Sequence, residues 1–173
     1  MDAEQCANIL HLYSPSHEPK PPVNRNAART TALPLGSTPE LSTPRILVVD
    51  DNESIRIFRA HFFRLEGLPV EIIESPHLAL KRFTATPHAY SMLLTDCEMP
   101  GMSGLELAKR IRRERADLPM ILFSTSVTVL GPARFVSAGF SAALCKPVPL
   151  DTLRSTIREV LAIAVPPSGS PPA

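Results

Sequence analysis

The chain has 173 residues, with 18 Lys and Arg against 17 Asp and Glu and a net charge of +1. That length suits one ordinary domain plus a tail, and that balance gives no electrostatic reason to expect a nucleic-acid or membrane partner. Cys6, Cys97 and Cys145 form neither a metal-ligand spacing nor a disulfide framework, no signal core opens the chain, and no run nears the ~20 apolar residues that span a bilayer, so a soluble, cytoplasmic protein is expected.

The first 44 residues hold Pro15, Pro19, Pro21, Pro22, Pro34, Pro39 and Pro44, with frequent Ser, Thr and Asn and no apolar periodicity after Ser14. Such a segment buries too little apolar surface to offset its ordering entropy. Residues 1–44 therefore read as a disordered tail, with at most a short helical turn over 3–13, and the closing PPSGSPPA of 166–173 reads the same way. The folded domain is expected over 45–165, a common domain size.

Inside it, Ile46-Leu47-Val48-Val49 is a β-branched apolar run ending in acid, as in a strand buried on both faces. Asn52 can cap a helix through Ile55, Phe58, Phe62 and Leu65 that stops at Gly67. Residues 70–73 form strand two, and Ser75-Pro76 opens a helix through Leu80 and Phe83. Residues 92–95 form strand three, Ser103 opens a third helix through Leu107 and Ile111, and residues 120–123 form strand four. A short helix follows Pro132, residues 142–145 form strand five, and Leu150, Leu153, Ile157 and Leu161 stripe the last helix. Five strands each followed by a helix predict an α/β domain, a doubly wound parallel sheet flanked by five helices. Neither GxGxxG nor a GK[ST] loop occurs, so nucleotide binding is not expected.

In an open α/β sheet, functional side chains gather beyond the carboxyl ends of the strands. Strand one ends at Asp50-Asp51, strand three at Asp96, strand four at Ser124, and strand five runs into Lys146-Pro147. Two carboxylates ~4 Å apart repel by about 4 kcal/mol at an effective dielectric of ~20. Three together need a cation or must protonate, and a hard divalent ion such as Mg²⁺ suits oxygen ligands. An aspartate can also attack phosphorus to form an acyl phosphate, with the metal, the Lys146 ammonium and the Ser124 hydroxyl neutralising and bonding the phosphoryl oxygens. Each group alone has an ordinary explanation: a helix cap, a surface cation, a strand-end turn, a polar loop. Their joint placement at successive strand ends is what favours chemistry.

The segments ILVVDDNES (46–54), LLTDCEMPGMSGLELA (93–108), PMILFST (119–125) and AGFSAALCKPVPLDTL (138–153) resemble the response-regulator receiver family, also called CheY-like, over about two thirds of the chain. The wording looks most like receivers of hybrid sensor kinases. The resemblance implies a flavodoxin-like sheet of strand order 2-1-3-4-5 and two-component phosphorelay signalling. It implies Asp96 as the phosphoacceptor, and Mg²⁺ bound by Asp50, Asp51, Asp96 and the backbone carbonyl of Glu98. Ser124 would move to meet the phosphoryl group and Lys146 would pair with it. The partners implied are a sensor histidine kinase or histidine phosphotransfer protein and a downstream protein effector, and the chain would be a phosphoacceptor rather than a classical enzyme. A haloacid-dehalogenase-type phosphatase would want D-x-D after strand one, which Asp50-Asp51-Asn52 breaks, and a phosphorylation-independent module should have lost the acceptor or the lysine.

Two positions depart from the family. Ala143 stands where an aromatic usually reports phosphorylation, and Thr125 where a very small residue is usual. Readout is therefore expected in residues 125–138, where Gly131-Pro132 interrupts the fourth helix's start. The run Lys109 to Arg115 reads as a solvated face, His61, His77 and His88 as isolated, and Phe58, Phe62, Phe83 and Phe123 as core.

Overall fold

The computed structural model of the protein describes residues 44–125 and 132–164. The expectations for residues 1–43, for the 126–131 part of the expected readout segment and for residues 165–173 lie outside them. The elements alternate as expected: β1 (Arg45–Val49), α1 (Glu53–Leu65), β2 (Val70–Ile73), α2 (Pro76–Ala85), a 3-10 turn (Pro87–Ala89), β3 (Tyr90–Asp96), α3 (Gly104–Glu114), β4 (Met120–Ser124), α4 (Pro132–Ser137), β5 (Ala142–Cys145) and α5 (Leu150–Ala164). The strands form one sheet in the order β2-β1-β3-β4-β5, with every neighbouring pair parallel. Among the described residues no helix is long and apolar enough to cross a membrane.

Alternation along each strand builds two apolar layers. Leu47, Val49, Leu93, Met120, Leu122 and Ala143 face one way and pack with Ala79 and Phe83 of α2, Leu107 and Ile111 of α3, and Phe135 of α4. Ile46, Val48, Met92, Leu94, Ile121, Phe123 and Leu144 face the other way, against Phe62 and Phe63 of α1 and Leu153, Ile157 and Val160 of α5. Both faces are covered, as parallel sheets require.

Local signals act where the sequence placed them. Asn52 Oδ1 accepts from Ile55 N and Ser75 Oγ from Leu78 N, each satisfying a donor at a helix start. Ser103 and Glu106 form a reciprocal capping box at the start of α3. The phase of α1 differs from the expected stripe. Phe58 is 49% and Leu65 68% exposed, while Arg59, Phe62 and Phe63 are buried, so the helix turns its 59/62/63 side inward. The basic run on α3 also divides: Lys109, Arg110 and Arg113 are exposed. Arg112, by contrast, donates to the carbonyls of Ala116 and Gly139, and Arg115 to those of Pro87 and Tyr90.

Gly104 ties α3 to the end of β3. Its N–H donates to Cys97 O at 2.9 Å, and a Cβ there would lie 2.0 Å from the backbone oxygen of Asp96. At Gly67, with φ +65°, a Cβ would meet nothing within 4 Å. Gly104→Ala should therefore lower stability in urea by about 3 kcal/mol or more, beyond the usual overpacking range of ~1–3. Gly67→Ala should cost only the left-handed backbone penalty of about 1–2 kcal/mol. Equal losses in the two unfolding curves would contradict this account of how the β3–α3 loop is held.

Candidate functional site

Four strand ends bring the candidate residues to one edge of the sheet. Asp50 directly follows β1 and is held there by its N–H on Ile73 O at 3.2 Å. Asp96 is the last residue of β3 and lies in register with Phe123 of β4. Lys146 directly follows β5, its N–H on Ser124 O at 3.0 Å and its peptide bond to Pro147 cis.

Oxygens of Asp50, Asp51 and Asp96 lie within 4.8 Å of one another. Asp50 is fully buried, Asp96 is 9% exposed and Asp51 is at the surface. Lys146 Nζ is 2.9 Å from Asp96 Oδ2 and 3.9 Å from Asp50 Oδ2, so one ammonium serves two carboxylates. The other oxygens are held by backbone donors: Asp50 Oδ1 accepts from Asn52 N at 3.0 Å and Asp96 Oδ1 from Cys97 N at 2.8 Å. Arg56 Nη1 donates to the carbonyls of both Asp50 and Asp51, which fixes the loop rather than the carboxylates.

The helix α1 supplies a residue that sequence reasoning missed. Arg59 Nη1 lies 3.1 Å from Asp50 Oδ2, and the guanidinium stacks over the Phe123 ring with 4.0 Å to its centroid. Burial pushes the Asp50 carboxyl up from its ordinary value, against the opposing pull of Arg59. Burial likewise lowers the Arg59 guanidinium, with Asp50 opposing. A sequence signal existed: Arg59 shares a face with Phe62 and Phe63 at i, i+3 and i+4.

Ser124 is buried at the end of β4, in register with Cys145. Burial raises the pKa of the Cys97 thiol, with the Ser124 hydroxyl opposing. Glu98 is exposed, two residues beyond Asp96 in the β3–α3 loop. The donor set fits a hard divalent cation: three carboxylates converge, and Asp50 Oδ2, though buried, makes no hydrogen bond.

Residues 46–158 match the response regulator receiver domain family. The chain is 34% identical to the virulence sensor protein BvgS of Bordetella pertussis, over 94% of its own length and 13% of that protein's. It is 32% identical to the sensor histidine kinase AruS of Pseudomonas aeruginosa, over 72% of its length and 13% of the relative's. The chain thus spans a small part of either curated relative. Among solved structures it is similar to the response regulator TrrA of Thermotoga maritima in complex with Mg²⁺-BeF, at 30% identity and a TM-score of 0.60, covering 68% of this chain and 99% of that one.

Lys146 has the carboxylates on one side and 23% of its side chain exposed. Lys146→Met should cost about 1–2 kcal/mol at pH 7, between the surface and buried ion-pair ranges. The Asp50 pKa, raised already, would rise further once the ammonium is gone. The penalty is therefore full at neutral pH and fades as pH falls toward the unfolded value of 3.8 and Asp50 protonates. Urea unfolding at pH 7 and pH 4.5 checks this; a loss independent of pH would show that Lys146 stabilises by packing alone.

Proposed function

Because this chain belongs to the response regulator receiver family of two-component signalling, we propose that Asp96 is its phosphoacceptor, charged from the phosphohistidine of a sensor histidine kinase or phosphotransfer protein. The observation that carries this reading is the convergence of Asp96 with Lys146 at 2.9 Å and with the Asp50-Asp51 pair. The similarity to a sensor histidine kinase supports the choice of donor. The similarity to a regulator solved with Mg²⁺-BeF supports a metal-assisted phosphoryl site.

In this reading an Asp96 carboxylate oxygen attacks phosphorus in line, the phosphorus–nitrogen bond breaks, and the imidazole nitrogen leaves with the bond's electron pair. Lys146 has to exchange its contact with Asp96 Oδ2 for one with a phosphoryl oxygen. Asp50, Asp51, Asp96 and the Glu98 carbonyl would hold Mg²⁺, which when bound neutralises charge on the phosphoryl oxygens. The Ser124 hydroxyl, buried at the end of β4, would turn to reach the phosphoryl group. The chain itself acts as a phosphoacceptor in the cytoplasm, its signal leaving through contacts with a protein effector.

Acetyl phosphate with Mg²⁺ should add one phosphoryl mass to the protein and none to Asp96→Asn, read by intact mass. Asp51→Ala removes an exposed carboxylate, so it should keep the fold's thermal midpoint while slowing labelling at least about tenfold. Labelling of Asp96→Asn at the wild-type rate would place the acceptor elsewhere.

A further inference from the structure

Arg59 sits where a cheaper residue would do. Its neighbours on the inward face of α1 are Phe62 and Phe63, and its own side chain is 5% exposed. Arginine is rarely so buried unless it is paired. The partner here is Asp50, which has no solvent exposure and carries its charge at the innermost corner of the acidic cluster.

The pairing is close but incomplete. Asp50 Oδ2 and Arg59 Nη1 are 3.1 Å apart, yet neither atom makes a hydrogen bond, so attraction rather than bidentate alignment joins them. The guanidinium is fixed on its other side by the Phe123 ring, a cation–π contact strengthened by burial. Phe123 in turn lies in register with Asp96. Arg59 is thus clamped between Asp50 and the Phe123 ring, while Lys146, partly exposed, reaches both Asp50 and Asp96. Arg56, the other nearby arginine of α1, is occupied with backbone carbonyls and Glu74.

We propose that Arg59 is a built-in counter-cation for Asp50, competing with a divalent metal for that carboxylate, so that this site holds Mg²⁺ weakly and mainly through Asp51 and Asp96. The proposal rests on the metal-site reading above and sharpens it. Oδ2 is the only Asp50 oxygen without a hydrogen-bond donor, so it is the one a metal would take, and it is the one Arg59 faces. Two cations drawn to one buried oxygen repel each other, and each lowers the other's affinity by the same factor. Arg59 is accordingly a residue that sets metal affinity, and it has no contact with the phosphoryl group.

Calorimetric titration of Mg²⁺ into the full chain tests this, with thermal midpoints measured with and without 10 mM Mg²⁺ (about that concentration suffices for weak sites). Arg59→Met should bind Mg²⁺ at least about tenfold more tightly than wild type, and its midpoint should rise more on adding the metal. Arg59→Lys, which keeps the charge, should stay near wild type. If Arg59→Met is unfolded alone, refolding on addition of Mg²⁺ supports the proposal, and failure to refold counts against it. Equal or weaker binding by Arg59→Met, with wild-type binding that Asp51→Ala abolishes, overturns the role of Arg59 and leaves the metal site standing. No binding by wild type or Arg59→Met, with Asp51→Ala behaving the same, overturns both.

Discussion

Asp50 carries a carboxylate with no solvent exposure, and its compensation organises this end of the molecule. Removing an ion from water costs several kcal/mol even after relaxation. The repayment comes from three groups on two elements: the Asn52 N–H at the start of α1, the Arg59 guanidinium about two turns further along the same helix, and the Lys146 ammonium beyond β5. The backbone that carries each group is held by packing, α1 through Phe62 and Phe63 and β5 through Leu144. The fold therefore does more than carry the cluster. It fixes three donors around a charge that would otherwise have to protonate or reach water, and the upward pressure on the Asp50 pKa shows that the compensation is partial.

The pleat of the sheet sorts the chemistry into two layers. Asp96, in register with Phe123, shares the face that carries α1, and Arg59 meets Asp50 on that same face. Ser124 is in register with Cys145, and Cys145 and Cys97 pack on the opposite layer beside Ala143. A parallel sheet with period-two alternation cannot place neighbouring residues of one strand on the same side. Charge compensation therefore belongs to the α1 side, and the hydroxyl and thiols to the α3 and α4 side. Ala143 has no side-chain torsion to report a change between the layers, whereas Ser124 has rotamers to change.

The strand ends and caps were legible because they depend on short-range chemistry. A β-branched run ending in acid, Asn52 and Ser75 before helical patterns, and the Ser103 and Glu106 pair each specify a local structure whatever the rest of the chain does. The order of the strands came from family resemblance, and the sheet shows it. The phase of α1 was misread for a physical reason. Its apolar residues at 55, 57, 58, 62, 63 and 65 support two overlapping stripes, and only packing against the sheet chooses between them. The 58/65 stripe puts Phe58 in the core, whereas the molecule exposes it and buries its neighbour Arg59.

Three carboxylates against the cations of Arg59 and Lys146 leave one net negative charge at the site. On the reading proposed above, an acyl phosphate at Asp96 would replace a single charge with about two, and the deficit would grow with it. Arg59 cannot follow that charge, because Phe123 and the packed body of α1 hold it beneath Asp50. Lys146 can, being partly exposed at the mouth of the site, but in moving it leaves Asp50 to Arg59 alone. A fixed cation that satisfies the resting site and a need for further positive charge that develops only with the phosphoryl group are complementary. They reserve the attraction of any added cation for the state that carries the extra charge, and an interaction that strengthens toward the transition state raises a rate where one equal in both states would not.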